Sequence, residues 1–410
     1  MSKVLNHLPL GEIAVFRNGL NFGKESRGNG CMLVGVPDFQ NRFSPDYESL
    51  SEINPDGIVR ADDYLQQGDI VFVRSNGNKA LVGRSLYISK DVKALFSGFC
   101  IRARLISEDV DKLFFAYYTK TKNFKSQISS SSGTNINNLN QGILSQVKIP
   151  VFHKSYQQKI AAVLSVLDSK IDCNNRINAE LKAIAKTLYD YWFVQFDFPD
   201  ANGKPYKSSG GKMEYNATLK REIPAGWKVK QLSQIANITM GQSPPGESLT
   251  DSGDGVEFFQ GSTDFGWQFP TVRQFTTQPA RMAKRGDILL SVRAPVGDLN
   301  VAHLDCCIGR GLAALNSRDG FDGFLFYVMQ YFKTVFDRRN SEGTTFGSIT
   351  KDDLYSLPLA YPSTELLTEY DKVVLRYNQM VFTRSMENQH LTQLRDWLLP
   401  MLMNGQVTAA

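Results

Sequence analysis

Histidine is scarce in this 410-residue chain: His7, His153, His303 and His390 lie far apart and suggest neither a catalytic triad nor a metal cluster. The five cysteines, Cys31, Cys100, Cys173, Cys306 and Cys307, are odd in number and include no Cys-x-x-Cys pair, so neither a disulfide framework nor a zinc site is signalled. No run reaches the roughly 18 uninterrupted apolar residues of a membrane helix. The opening MSKVLNHLPL lacks the apolar core of a signal peptide, and a cytoplasmic location is expected. Strong charge of one sign is also missing. The net charge is +5; residues 1–152 hold 18 Lys and Arg against 14 Asp and Glu, and residues 216–361 hold 15 against 15. An acidic partner is permitted but not demanded, and any nucleic-acid contact must come from local clustering on a face.

Complete catalytic motifs are lacking too. The SPPG at 243–246 is one residue from the (Asp/Asn/Ser)-Pro-Pro-aromatic motif of amino-group DNA methyltransferases, but Gly246 replaces the ring on which a flipped base would stack. The GLNFGKE at 19–25 echoes a phosphate-binding loop, yet it is one residue short and has Glu25 where a magnesium-binding Ser or Thr belongs. Pro55-Asp56 with Asp91-Val92-Lys93 is a short acidic pattern of a kind that arises by chance. With 42% hydrophobic and 21% charged residues, the chain reads as an ordinary globular protein of two to four domains.

What the chain does have is a second copy of its own pattern. Leu113, Phe114, Phe115 and Tyr117 fall over Phe324, Leu325, Phe326 and Val328 at an offset of 211, and Leu139, Leu144, Val147 and Ile149 fall over Ile349, Leu354, Leu357 and Leu359 at 210. Upstream the offset drifts to 218 for Gly68-Asp69-Ile70 over Gly286-Asp287-Ile288, and to 222 for Gly19 over Gly241, which places insertions inside the globular parts. A period this long is a domain duplication, not a solenoid.

Residues 1–152 alternate short β-like runs with turns; DIVFV at 69–73, SLYIS at 85–89 and GFCIRARLI at 98–106 are the clearest strands, and a helix is expected over roughly 109–128. Residues 216–361 repeat the plan, with DILLSV at 287–292 and a helix at 321–338. From Ser155, read as an N-cap, Ile160, Leu164, Leu167, Ile171, Leu181, Ala185, Leu188 and Trp192 recur at coiled-coil spacing. This helix should be nearly 40 residues long, on the order of 50–60 Å. The second half ends similarly, with Leu366, Tyr370, Val373, Tyr377, Met380, Leu391, Leu394 and Leu398 before Pro400. Asn174 and Asn178 interrupt the first seam, and Arg384 and Asn388 the second; antiparallel packing would bring these polar residues together.

The loops offer the binding candidates. In each half a Gly-Asp-Ile strand runs into an arginine and then a glycine turn: Arg74 with Asn76, Gly77 and Lys79 in the first, Arg293 with Gly297 in the second. An arginine at a strand end can bond guanine twice in the major groove or grip a phosphate. Loops 129–138 and 338–348 add Ser132, Thr134 and Asn135 in the first half, and Arg338, Arg339, Thr344 and Thr345 in the second. Arg84, Gln242, Ser243 and Arg310 complete the set of DNA-contact candidates.

The order of domain, long helix, FDFPDANGKPYKSSGGKMEYNATLKREIPAGWKVKQLSQIA, second domain and second helix, with MGQSP at 240–244 and GDILLSVRAPVG at 286–297, resembles the specificity subunit of type I restriction-modification systems over nearly the whole chain. The resemblance implies an α+β fold in which two duplicated α/β target-recognition domains are separated by a long antiparallel two-helix coiled coil. The divisions are 1–152, spacer helix 153–199, linker 200–222, 223–361, and spacer helix 362–410. It implies a non-catalytic subunit that reads a bipartite, asymmetric double-stranded DNA target and carries two modification (methyltransferase) subunits and restriction subunits. The helix positions Leu164, Leu167, Ile171, Asn174, Asn178, Leu181 and Leu188, with Val373, Tyr377, Arg384, Leu391, Leu394 and Leu398, would serve spacing and docking. No cofactor or metal is expected on this chain, S-adenosylmethionine, ATP and magnesium belonging to the partners. The competing readings are a self-sufficient DNA methyltransferase or nuclease, and a coiled-coil scaffold without a DNA role. The first half starts at LPLGEIAVF without the IPAGW seen at 223–227, so its first strand is expected to be shortened or differently partnered.

Overall fold

A computed structural model describes residues 6–39, 42–55, 59–130, 138–341 and 348–407. It divides into two compact units, residues 1–173 with 388–410, and residues 174–387, so each unit owns a stretch of both long helices.

In the first unit a four-stranded antiparallel sheet runs in the order Ala14–Asn18, Cys100–Leu105, Ile70–Val73, Ser85–Tyr87. All four residues of Ile70–Val73 are buried because the sheet is covered on both faces, which is why the strand reads as an unbroken apolar run. Ile70 and Phe72 join a core with Phe114, Phe115 and Phe124, whereas Val71 and Val73 join one with Val34, Ala94 and Phe96. That second core lies under a three-stranded sheet in which Arg27–Val34 pairs antiparallel with Ser51–Ile53 and parallel with Ala94–Phe96.

The second unit repeats the plan. Its sheet runs Ala236–Met240, Leu312–Ser317, Ile288–Ser291, Leu299–Val301, and Val256–Phe259 pairs in parallel with Cys306–Ile308 in the companion sheet of five strands. Ile288 and Leu290 face one core and Leu289 the other. The duplication read from spacing is therefore a duplication of topology.

Two expectations change here. The opening strand of the first half is neither short nor differently partnered: Asn6–Pro9 pairs with Lys148–Val151 over four residues, as Lys228–Gln231 does with Pro358–Tyr361. The IPAGW segment instead contributes to a separate hairpin, Met213–Asn216 with Arg221–Pro224. The helix expected over 109–128 is two, Lys112–Tyr118 and Lys122–Ser130, because the Thr119 and Thr121 hydroxyls bond back to the carbonyls of Ala116 and Tyr118 at the break. Its counterpart, Asp322–Ser341, is continuous.

The long helices are Lys154–Tyr189, extended by a π-helical turn at Asp190–Val194, and Thr364–Met403, which continues past Pro400. In the first unit Arg395 donates to Asp168 at 2.8 Å, and Ile160 and Leu164 share a core with Leu399, Leu402 and Met403. In the second, Asn174 donates to Glu387 at 2.8 Å, Asn178 to Ser385 at 3.4 Å, and the Tyr370 hydroxyl to the Ala185 carbonyl at 3.4 Å. Partner numbers fall as the first helix ascends, so within each unit the helices run antiparallel.

The seam of the second helix is not quite the expected one. Arg384 bonds its own helix at the Met380 carbonyl, and Ser385 takes the buried place beside Asn178. Val373 and Leu394 are 37% and 42% exposed, and the buried stripe runs instead through Val374, Val381 and Leu399. The helix carries apolar residues on its outer face as well, so spacing alone placed Leu366 and Tyr370 correctly in the buried stripe but added the outward Val373 and Leu394. Leu164 is fully buried, and Leu167, Ile171, Leu181, Leu188, Tyr377, Leu391 and Leu398 are half-buried as seam-edge positions.

Candidate nucleic-acid interface

At one end of the second domain a chain of backbone hydrogen bonds stitches five segments together. The Gln242 amide donates to Ile308 at 3.0 Å, Gly309 to Phe259 at 2.8 Å, Gly311 to Gln260 at 3.2 Å, Val292 to Gly311 at 2.9 Å, and Ile349 to Val292 at 2.8 Å. This brings Gln242, Ser243, Arg293 and Arg310, all chosen from sequence, onto one edge with Gln260, which was not. Arg310 donates from Nε to the Ser243 hydroxyl at 3.3 Å, and that hydroxyl donates to Oε1 of Gln260 at 3.3 Å. The buried Asp264 accepts the Gln260 amide at 2.8 Å and holds the backbone beneath. Gln242, Arg293 and Arg310 are exposed.

The first domain builds the same edge from smaller parts. Leu20 donates to Phe96 at 3.1 Å, Ser97 to Val34 at 2.9 Å, Arg74 to Phe99 at 2.7 Å and Leu139 to Arg74 at 2.8 Å, while Asp38 accepts the Gly35 amide at 2.7 Å as Asp264 does for Gln260. By ladder position Gly98 stands where Arg310 does, Gly35 where Gln260 does, and Ser75 where Arg293 does. An open cleft of about 740 Å³ lies at this edge, lined by residues including Gly35, Asp38, Ser75, Asn76 and Phe99. Phe99 is 57% exposed at its rim.

This corrects the pairing of Arg74 with Arg293. Leu139 bonds Arg74 as Ile349 bonds Val292, and Ser75 bridges Asn138 as Arg293 bridges Ser348. The two arginines are one residue out of register, and on a strand a one-residue slip turns a side chain to the opposite face. Arg74 is accordingly half-buried. Asn76 accepts the Asn78 amide at 2.8 Å, Lys79 is exposed on the short turn that follows, and Arg84 folds back to bond the Ala80 carbonyl at 3.3 Å. Ser132, Thr134, Asn135, Thr344 and Thr345 lie outside the described residues, as do the side chains of Arg338 and Arg339 and, from the acidic pattern, Asp56.

The profile of the type I restriction modification DNA specificity domain matches residues 7–183 and 224–372, once in each half and over most of the chain. The chain belongs to that specificity family. Among its relatives, the MjaX type I restriction enzyme specificity subunit of Methanocaldococcus jannaschii is 30% identical over 349 residues, 83% of this chain and 78% of that one. The HindI specificity subunit of Haemophilus influenzae is 23% identical, covering 84% and 87%. A crystal structure of a type I restriction-modification S subunit from M. genitalium shares the fold, with a TM-score of 0.55 over 98% of both chains at 16% identity. In this specificity chain the Gly309-Arg310-Gly311 turn was the available sequence signal for Gln260: an arginine between two glycines marks a backbone packed tightly on a neighbour. Nothing in the sequence marked Gly35 or Gly98 as the counterparts of Gln260 and Arg310; a Cβ on Gly98 would lie 2.0 Å from the Asn21 side-chain oxygen.

Proposed function

We propose that this chain is the non-catalytic DNA-reading subunit of a type I restriction-modification assembly, each domain reading one half of a split, asymmetric target. The observation that carries the reading is the matched pair of strand-end platforms, which keep one backbone ladder and differ in the side chains they present: Arg293, Arg310 and Gln260 on one, Ser75, Gly98 and Gly35 on the other. A common scaffold with different reading groups is what two unlike half-sites require. Methylome sequencing of cells with and without the gene tests it. A split motif that disappears with the gene is expected, and loss of no motif, or of an unsplit one, overturns the reading.

The helices support partner docking. Val163 and Val373 are equivalent and both exposed, as are Ile184 and Leu394, so a single kind of partner would meet the same apolar positions twice. We assign these faces to two methyltransferase subunits bearing S-adenosylmethionine, with restriction subunits adding ATP and magnesium chemistry. No helix among the described residues is long and apolar enough to cross a membrane, and we place the assembly with its DNA in the cytoplasm. Inserting a helical turn within 160–190, with its partner turn in the second helix, should change the tolerated spacer between half-sites; an unchanged spacer would remove the helices as its measure. Methyl transfer from labelled S-adenosylmethionine by the isolated chain would favour the self-sufficient enzyme instead.

A further inference from the structure

We infer that Arg310 reads a guanine in the half-site of the second domain through its two terminal guanidinium nitrogens, with Ser243 and Gln260 as positioning residues. The inference rests on the DNA-reading function proposed above and adds which base, which groove and which atoms.

Three features make Arg310 unlike an ordinary surface arginine. Its backbone is pinned on both sides, since Gly309 donates to Phe259, Gly311 to Gln260 and Leu312 back to Gly309 at 3.0 Å. The flanking glycines admit no substitute without moving the turn: a Cβ on Gly309 would lie 2.6 Å from Oε1 and 3.0 Å from Cα of Gln260, and one on Gly311 would lie 2.6 Å from the Gln260 carbonyl oxygen. The guanidinium is anchored at Nε by Ser243, itself bonded to Gln260, while both terminal nitrogens make no bond to the described residues.

An arginine tethered at Nε keeps an end-on fork of two donors in one plane. The major-groove edge of guanine presents two acceptors, O6 and N7, in one plane, and of the four bases only guanine does so. A phosphate also accepts a two-pronged arginine, but its oxygens can be approached from many directions and lysine binds it as a point charge. Fixing the plane in advance lowers the ordering cost of a two-bond contact and so favours a base edge. Gly98 stands at the equivalent position in the first domain, which confines this determinant to one half-site.

The test uses the methyltransferase complex assembled on the full chain, with duplexes carrying the motif found by methylome sequencing and each position varied in turn. Wild type should discriminate about ten- to hundredfold against other bases at one guanine of one half-site. Arg310→Ala should abolish that discrimination and leave the other half-site unchanged, and Arg310→Lys should keep affinity but not discrimination. Ser243→Ala and Gln260→Ala should weaken it without a uniform loss of binding. Replacing the guanine by 7-deazaguanine should weaken wild type and not Arg310→Ala, whereas inosine, which keeps O6 and N7, should be tolerated. Equal weakening of Arg310→Ala on every duplex would make Arg310 a phosphate contact and overturn the inference. So would unaltered discrimination by Arg310→Ala, or a half-site without guanine, both of which leave the split-target reading standing. Absence of any split motif would instead remove that reading itself.

Discussion

The two domains hold the same strand in place with opposite chemistry. In the first, Arg104 grips Asp69 with two hydrogen bonds of 2.8 and 2.7 Å, and Arg17 and Arg102 pair with Asp62 and Asp63 around it. In the second, Asn316 bonds Asp287 with one amide hydrogen at 2.9 Å and Asn237 bonds Asn316 at 2.9 Å, with no arginine at either place. Where the domain meets the long helix the assignment reverses. Gln157, fully buried, accepts from the Asp111 amide and donates to the carbonyls of Asp109 and Phe152. The second unit uses the carboxylate of Asp371, which accepts the Phe324 amide at 2.8 Å on Oδ1 while Oδ2 is buried without a partner among the described residues. The backbone ladder is what duplication preserved; the buried polar groups were free to change provided each retained partners.

Breaking the sheet buttress should separate the domains most. Asp69 is 1% exposed, and its hydrogen bonds raise the Arg104 pKa above its ordinary value. Removing one partner of a buried ion pair leaves an uncompensated charge, which costs about 3–5 kcal/mol. Arg104→Ala should destabilise the first unit by that amount, and Asn316→Ala the second by about 1–2 kcal/mol, the cost of a lost hydrogen bond with its acceptor left in place. Calorimetric unfolding of the full chain, with the two transitions resolved, measures both. Equal losses would mean that charge and amide buttresses are interchangeable in strength as well as in place.

The helix dock should differ in its response to pH. Burial raises the Asp371 carboxyl to about 6 from an ordinary value of 3.8, against hydrogen bonds from Phe324 and Gly323 that pull it down. A carboxyl raised in the folded state contributes stability that is complete below its unfolded pKa and is lost as pH rises through about 6. The second unit should therefore lose roughly 2–3 kcal/mol between pH 4 and pH 8 from this group. Asp371→Asn should remove most of that dependence, being more stable than wild type at pH 8. The first unit, docked through neutral Gln157, should show no corresponding change from this position. A pH dependence unchanged in Asp371→Asn would assign it to other groups.

The same contrast explains what could be read in advance. Apolar periodicity located the duplication, the Ile70–Val73 and Ile288–Ser291 strands and both long helices, because burial on a regular element leaves a regular trace. It could not locate Asp371 or Gln157, since one buried polar residue inside an apolar stripe has no period. The slip between Arg74 and Arg293, by contrast, was legible: carried on from Gly68-Asp69-Ile70, the offset of 218 sets Arg74 over Val292 and Ser75 over Arg293, and the hydrogen-bond ladder keeps that register. The outward Val373 and Leu394 were indistinguishable from seam residues because the second helix is apolar on its outer face as well.

The smallest effect is expected where the helices cross-link within the second unit. Asn178 is fully buried, its amide donates to the Ser385 hydroxyl at 3.4 Å, and its Oδ1 has no hydrogen bond among the described residues. A buried amide satisfied on one side only contributes little, and replacing both partners by apolar groups is near neutral or favourable. The Asn178→Leu, Ser385→Ala double variant should thus gain up to about 1 kcal/mol in denaturant unfolding of the second unit. Arg395→Ala, which strips Asp168 of the 2.8 Å ion pair in the first, should lose stability there. If the double variant is the less stable protein, the Asn178–Ser385 contact is a stronger bond than its length implies. In that event polar groups stabilise the helix pair in both units, and the distinction between an ionic seam and an amide seam disappears.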